Sequence, residues 1–212
     1  YGQPEDGYPE TIQNIRREDL AEFYRQYYTS RGMVIVAAGG MDTRQAVETI
    51  SRAVEGWQPP AAPEQPILPV IQPLAASERQ HIALEGKSQT DLVMGCLGPR
   101  RNSTDYMAAS LGNSVLGQFG MMGRIGDVVR EQAGLAYYAS TSLNTWIESG
   151  SWEVTAGVNP ANLQRAIDLI IHEIRRFISE PVSDEELADS QASFIGRLPL
   201  SLESNGGVAG AL

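Results

Sequence analysis

A proline-rich stretch about a third of the way along the chain most constrains its fold. Six prolines fall within residues 58–73. Proline has no backbone N–H and a fixed φ, so no helix or central strand continues through that density. We therefore interpret residues 58–76 as an extended linker between two packed units. The alternative is a long ordered loop inside one domain.

The residues before the linker predict helices and one strand. Residues 1–16 are rich in Gly and Pro and predict turns. Apolar residues at helical spacing predict a helix over 18–29, and the apolar run 33–38 predicts a buried strand. Asp42 is expected to cap a further helix that extends to about residue 57.

The residues after the linker alternate between strand and helix patterns. Strands are predicted over 81–86, 91–97, 137–145 and 151–158, and helices over 104–116, 124–132, 159–179 and from 184 onward. The last two strands are separated by a short Gly-containing turn, which predicts an antiparallel hairpin. Hairpin-joined strands among helices predict an α+β fold, with an antiparallel sheet and helices packed on one face.

Composition excludes several classes of partner. The net charge of -10 argues against nucleic acid and against an anionic membrane surface. No apolar run reaches the roughly 20 residues that a membrane span needs. The single cysteine, Cys96, lies in an apolar run and is expected to be a buried thiol. The chain begins at Tyr1, so we expect a piece of a longer polypeptide, whose compartment stays open.

Most motifs that would carry chemistry are absent from this sequence. The two histidines, His81 and His172, belong to no His-x-x-Glu-His or His-Glu-x-x-His pattern, so solvated side chains are expected. The glycine-rich stretch 117–123 lacks the Gly-Lys-Ser/Thr ending of a phosphate-binding loop, and a helix–helix turn is expected there.

The stretch REQAGLAYYAS, residues 130–140, remains as a candidate site. Arg130 falls in the last turn of a predicted helix, and Gly134 suits a left-handed cap. Tyr137 and Tyr138 then point to opposite faces of a strand. The residues alone favour a helix cap with a core aromatic. The alternative is a pair of hydrogen-bond donors aimed at a substrate.

Several segments, in this order, resemble one family. They are YGQP at 1–4 with PETI at 9–12, EDL at 18–20 with YY at 27–28 and MVIV at 33–36, the stretch 117–137, and VSDEEL at 182–187. Together they resemble the pitrilysin/insulinase-type zinc metallopeptidases. That family includes processing peptidases and their non-catalytic partner chains. The resemblance covers nearly the whole chain.

The resemblance implies domains and a site. Residues 1–57 would close a first metallopeptidase-like domain, and 77–212 would form a second one, truncated at its end. In the family, an Arg and a Tyr seven positions apart reach from the second domain toward the zinc site, a separation that Arg130 and Tyr137 share. They would be catalytic and substrate-binding residues that hold a peptide carbonyl and stabilise its oxyanion. Tyr138 would be a core residue.

The family's zinc ligands lie upstream of the segment that resembles residues 1–4. We therefore expect no metal or other cofactor in this chain, which alone would be inactive. Zinc, which generates the attacking hydroxide, is expected in the full-length protein or in a partner chain. The partners implied are the missing zinc-bearing domain or partner subunit and a peptide substrate. A homo- or heterodimer is compatible with this arrangement.

Three functions stay open at this point. The first is a fragment of a zinc metalloendopeptidase that contributes peptide binding and transition-state stabilisation. The second is a non-catalytic partner subunit or domain that closes the chamber of such a peptidase and binds peptide or partner. The third is a general α+β binding module.

Overall fold

A computed structural model describes residues 4–28, 30, 32–57, 68 and 70–212. The chain divides into a first unit, Tyr1–Ile67 with Pro199–Leu212, and a second unit, Leu68–Leu198. Residues 58–67 and 69, most of the predicted linker, lie outside the described residues, as do residues 1–3 of the YGQP segment.

Eight helices and three strands occur among the described residues. They are α1 (Pro9–Asn14), α2 (Arg17–Tyr27), α3 (Thr43–Val54), β1 (Thr90–Leu97), α4 (Tyr106–Gly117), α5 (Phe119–Gly126), β2 (Ala136–Thr145), β3 (Gly150–Val158), α6 (Leu163–Ser179), α7 (Asp184–Ser201) and α8 (Asn205–Ala211). One π-helical turn, Asp127–Gln132, follows α5, and a 3-10 turn, Pro160–Asn162, precedes α6. None of these helices combines the length and apolar character that crossing a bilayer requires.

In the first unit, the predicted start of α3 is confirmed, while other predicted helix ends and turns differ from the structure. The backbone N–H of Gln45 donates to Asp42 Oδ1 at 2.9 Å, which confirms Asp42 as the cap of α3. That helix ends at Val54 and not at residue 57. Turns were predicted over residues 1–16, but α1 forms there with Pro9 at its first position, where a missing N–H costs nothing.

The strand predicted over residues 33–38 is absent. This apolar run forms no strand, and Val34 is 80% exposed. A strand needs a neighbouring strand for its backbone N–H and C=O groups, and the described part of the first unit contains none. The prediction was wrong for this chain because composition indicates a strand without indicating its partner.

The second unit is built on a three-stranded antiparallel sheet in the order β1-β3-β2. β2 and β3 form the predicted hairpin, and β1 pairs with the other edge of β3 from Thr90↔Val158 to Leu97↔Ser151. The strand predicted over 81–86 is absent, since no strand of the sheet pairs with that segment. Side chains alternate along residues 81–86 as they do in a strand, but the backbone of this segment pairs with no strand of the sheet.

Helices cover one face of this sheet. α4, α5 and the π-helical turn contact β2, and α6 packs on the π-helical turn. The buried core between the layers consists of Leu116, Ile125, Val129, Leu135, Ala139, Val154, Ala156, Val158, Ala166 and Ile170. The predicted α+β architecture, an antiparallel sheet with helices packed on one face, is confirmed.

Cys96 is exposed, which contradicts the predicted buried thiol. It lies near the end of the outer strand β1, paired with Trp152. The helices pack mainly against β2, so the end of β1 receives no cover from them. The apolar run around Cys96 therefore marks a strand whose first half alone packs on the core, through Leu92 and Met94.

The packing of α6 on the core predicts how a shortened side chain on this helix changes stability. Ile170→Ala should lower the free energy of unfolding by about 2–5 kcal/mol, because Ile170 is fully buried and its loss leaves a cavity. Ile178→Ala, on the same helix, is the matched control, since Ile178 is 78% exposed and its change should stay within about 0.5 kcal/mol. Urea denaturation measures both, and equal losses would contradict this packing of α6.

Candidate functional site

A tight helix-to-strand turn brings the candidate residues into one connection. The N–H of Gly134 donates to the carbonyl of Arg130 at 3.0 Å, and the N–H of Leu135 donates to that of Val129 at 3.0 Å. Gly134 has φ 62°, a left-handed conformation that glycine adopts without strain. The predicted helix cap is confirmed, and it places Arg130 in the final helical turn, six positions before β2 begins at Ala136.

Tyr137 lies at a β-bulge. Ala136 pairs with Val158 and Tyr138 pairs with Gly157, so Tyr137 has no partner across the ladder. Ala136 and Ala139, three positions apart, both pack on the core side, because the extra residue interrupts the alternation of faces. The Tyr137 side chain is 81% exposed.

Tyr138 lies on the sheet face opposite the helices, and not in the core as predicted. Its hydroxyl donates to Asp91 Oδ1 at 3.1 Å. Partial burial, followed by this hydrogen bond and the negative charge of Asp91, raises the pKa of Tyr138. The prediction assumed an uninterrupted strand. Because of the bulge at Tyr137, Ala136 and Ala139 face the core and Tyr138 does not. We call this opposite face, which carries Asp91, Tyr138 and Thr155, the open face.

The Arg130 guanidinium is partly exposed and lies beside an acid. Its Nε is 3.5 Å from Glu131 Oε1, and the carbonyl end of the helix favours a cation at this position. Within the described residues, Arg130 and Tyr137 share one turn but no hydrogen bond joins their side chains. Both groups therefore keep donors that a ligand can reach.

Sequence reasoning missed an ion network centred on Arg124, the first residue after the glycine-rich stretch. Arg124 donates from Nε and Nη2 to the two carboxylate oxygens of Glu186, each at 2.6 Å. Its Cζ lies 5.6 Å from the ring centroid of Phe177. The glycine-rich stretch is a helix–helix connection with non-helical residues 120–123, and Arg124 ties it to α7.

Glu186 also completes a capping box at the start of α7. Ser183 N donates to Glu186 Oε2 at 2.8 Å, and Glu186 N donates to Ser183 Oγ at 3.2 Å. The hydrogen bonds from Arg124 are the largest cause that lowers the pKa of Glu186, to about 2. The carboxylate is therefore charged at neutral pH.

Glu173 is the second acid of this network and is 1% exposed. Its Oε1 lies 3.1 Å from Arg176 Nη2 and 3.9 Å from Arg124 Nη1. Burial raises the pKa of Glu173, and the two arginines oppose that rise. The sequence did contain a sign of this buried acid, because Glu173 falls on the apolar face of α6 between Ile170 and Phe177.

An acidic cavity of about 370 Å³ adjoins the network. Its polar lining consists of Arg124, Asp127, Glu131, Glu185, Glu186 and Asp189. Within the described residues, no group of three His, Cys, Asp or Glu side chains is arranged to hold a metal ion, and His81 and His172 are both exposed. The described residues therefore do not fit a zinc site.

The fold and the site define an α+β domain whose exposed donors lie at a helix-to-strand turn. The sequence model of one protein family, the peptidase M16 inactive domain, matches residues 14–194 of this chain. The chain therefore belongs to the peptidase M16 family, which confirms the resemblance to zinc metallopeptidases.

Three proteins illustrate the similarity. An uncharacterised zinc protease of Streptomyces coelicolor is 26% identical over 210 residues, covering 97% of this chain and 45% of that protein. The crystal structure of a peptidase M16 inactive domain from Pseudomonas fluorescens is 26% identical, with a TM-score of 0.75 over 100% of this chain and 49% of that one. Subunit 1 of the Bos taurus cytochrome b-c1 complex is 24% identical over 118 residues, 55% of this chain and 24% of the subunit.

The alignments with the zinc protease and the inactive domain cover nearly all of this chain but only part of each relative. This chain spans about half the length of the curated zinc-protease relatives that it matches. Its described residues include no group arranged to hold a metal ion, while those relatives are named zinc proteases.

The Arg124–Glu186 pair predicts a pH-dependent stability. Because its folded pKa of about 2 lies below the ordinary value of 4.5, Glu186 stabilises the fold above about pH 4.5 and loses that contribution as the pH falls toward 2. Glu186→Gln should cost about 2 kcal/mol at pH 7, and the difference from wild type should shrink below pH 4.5.

Glu185→Gln is the matched control for this prediction, since it removes one charge from the same helical turn at an exposed position. It should change the unfolding free energy by no more than about 0.5 kcal/mol. Urea denaturation from pH 7 to pH 3 measures all three proteins. A constant difference between wild type and Glu186→Gln across that range would contradict the assigned pair.

Proposed function

We propose that this chain is the carboxyl-side part of a zinc metalloendopeptidase of the pitrilysin/insulinase type. It contributes peptide binding and transition-state stabilisation through Arg130 and Tyr137. The observation that carries the proposal is the match to the peptidase M16 inactive domain over residues 14–194, which includes both side chains.

The geometry of the two donors supports this role. A tyrosine that is 81% exposed at a bulge leaves its hydroxyl available to a ligand. An arginine is always charged and offers five N–H donors in a fixed plane. Preorganised donors of this kind stabilise the negative charge that develops on a carbonyl oxygen when its carbon is attacked.

The outer strand of the sheet supports an extended peptide as the proposed substrate class. β1 is an outer strand of the sheet and lies two strands from Tyr137 on β2, so a peptide added at β1 would need a continuing segment to reach the two donors. An outer strand can accept an added strand through main-chain hydrogen bonds, which recognise unfolded peptide of varied sequence. We therefore propose unfolded peptide segments as the substrate class.

The zinc ligands are proposed to lie outside this chain, in the remaining half of a longer protein or in a partner subunit. The coverage of about half in the zinc-protease relatives supports that division. Exposed apolar side chains of the first unit, among them Val34, Phe23 and Tyr24, are consistent with a surface that such a domain or subunit covers. A homo- or heterodimer would satisfy the same requirement.

A non-catalytic partner subunit that closes the chamber and binds peptide or partner is the second candidate. The similarity to subunit 1 of the cytochrome b-c1 complex favours it, because that relative is named as a subunit of an assembly. The two candidate functions differ in whether turnover depends on Arg130 and Tyr137. The peptidase function requires both residues, and the partner-subunit function requires neither.

The proposal predicts the kinetics of two variants in the complete zinc-bearing assembly. Arg130→Ala and Tyr137→Phe should each lower kcat for peptide hydrolysis by about ten- to a thousandfold, because each removes a donor to the developing oxyanion. Steady-state hydrolysis of an unstructured peptide measures the effect.

Arg165→Ala is the matched control, since Arg165 is exposed on α6 in the same unit. It should leave kcat unchanged. Circular dichroism should be unaltered in all three variants, because the replaced side chains are outside the core. Full turnover in both Arg130→Ala and Tyr137→Phe would refute the catalytic role and favour the partner-subunit function.

A further inference from the structure

We propose that Tyr138, Asp91 and Gly157 form a clasp across all three strands that positions Tyr137. Tyr138 and Asp91 are positioning residues, since neither is assigned a contact with substrate. The inference rests on the proposed function only for its kinetic consequence, because the clasp itself is a feature of the sheet.

The three residues occupy one row of the sheet. Asp91 of β1 pairs with Gly157 of β3, and Gly157 pairs with Tyr138 of β2. Residues directly opposite each other in adjacent strands point to the same face. Tyr138 therefore reaches over the central strand on the open face, and its hydroxyl donates to Asp91 Oδ1 at 3.1 Å.

Gly157 makes this reach possible because it has no side chain. A Cβ at this position would lie 2.5 Å from Cε1 and 3.0 Å from Cδ1 of Tyr138, and it would also collide with the Gln89 amide nitrogen. Atoms of the ring therefore occupy the space of the missing side chain. Gln89 Nε2 donates to the same Asp91 Oδ1 at 2.9 Å, which restrains the carboxylate that receives the phenol.

The clasp matters for Tyr137 because a bulged residue has no ladder partner. Tyr137 has no partner across the ladder, so the fixed positions of its two neighbours orient it. Ala136 packs against the core on one side, and Tyr138 is clasped on the open face on the other. With the clasp broken, the bulge can open or move along β2, and each position it passes changes the face to which that residue points.

Kinetics of the complete zinc-bearing assembly test the positioning role. Tyr138→Phe should lower kcat about tenfold with little change in KM, because it removes one hydroxyl and misplaces Tyr137. In a Tyr137→Phe background, Tyr138→Phe should cause no further loss. Tyr106→Phe, which removes the same atom from a tyrosine whose ring lies under Arg101, is the control and should leave kcat unchanged.

Amide hydrogen exchange of the chain tests the clasp without any need for activity. Exchange at position 138 and at Ser140, which pair with Gly157 and Thr155 in the ladder, should accelerate about tenfold or more in Tyr138→Phe and in Asp91→Ala, because the strand beside the bulge then opens more often. Exchange in β3 at Val154, in the core, should stay close to wild type. Gly157→Ala should act in the same direction, and if it fails to fold, Asp91→Ala, which removes the acceptor, retains the test.

The outcomes separate the clasp from the proposed function. Equal losses of kcat from Tyr138→Phe with and without Tyr137 would overturn the positioning role, as would unchanged exchange beside the bulge in Tyr138→Phe and Asp91→Ala. If Tyr137→Phe alone leaves kcat intact, the proposed catalytic function fails, and the exchange rates then decide the clasp: acceleration supports it and wild-type rates overturn it.

Discussion

The left-handed turn at Gly134 is the constraint on which the candidate site depends. Its φ of 62° ends the helix at residue 132 and directs the chain into β2 within a few residues. A residue with a Cβ would meet steric strain at this conformation. Because the turn is so short, only six residues separate Arg130 of the helix from Tyr137 of the strand. The bulge that follows then leaves Tyr137 outside the ladder.

Two polar arrangements hold the elements around this turn. On the helical side, Arg124 joins the glycine-rich connection to α7 through Glu186 and lies near buried Glu173 of α6. Buried ion pairs of this kind add little net stability over apolar packing, but losing one partner leaves a charge uncompensated. On the open face, the Tyr138–Asp91 hydrogen bond crosses the sheet. The site is thus framed by groups that do not themselves reach a substrate.

Much of this fold was accessible from sequence where local chemistry decides the outcome. The hairpin of β2 and β3, the caps at Asp42 and Ser183, and the glycine at residue 134 all follow from turn and cap preferences over a few residues. Strands at 33–38 and 81–86 were predicted wrongly because a strand also requires a partner that no local pattern reveals. Tyr138 was misplaced because one bulged residue changes the face of each residue beyond it.

The candidate site was less accessible than the fold. By themselves, Arg130 and Tyr137 read as a helix cap and a strand aromatic, and only the family resemblance gave them a role. The match to the peptidase M16 inactive domain confirms the family. Arg124 and Glu173 went unrecognised because their significance depends on helices that meet only after folding. Their signal was a charge on an otherwise apolar helix face.

The most direct test of the central claim, that Tyr137 stabilises an oxyanion, is the affinity of the complete assembly for a phosphinic peptide. Its tetrahedral anionic group resembles the transition state of peptide hydrolysis, while the uncleaved peptide resembles the ground state. Tyr137→Phe is expected to weaken phosphinic-peptide binding by the same factor by which it lowers kcat/KM, with peptide KM little changed. Wild-type affinity for the phosphinic peptide in Tyr137→Phe would contradict it.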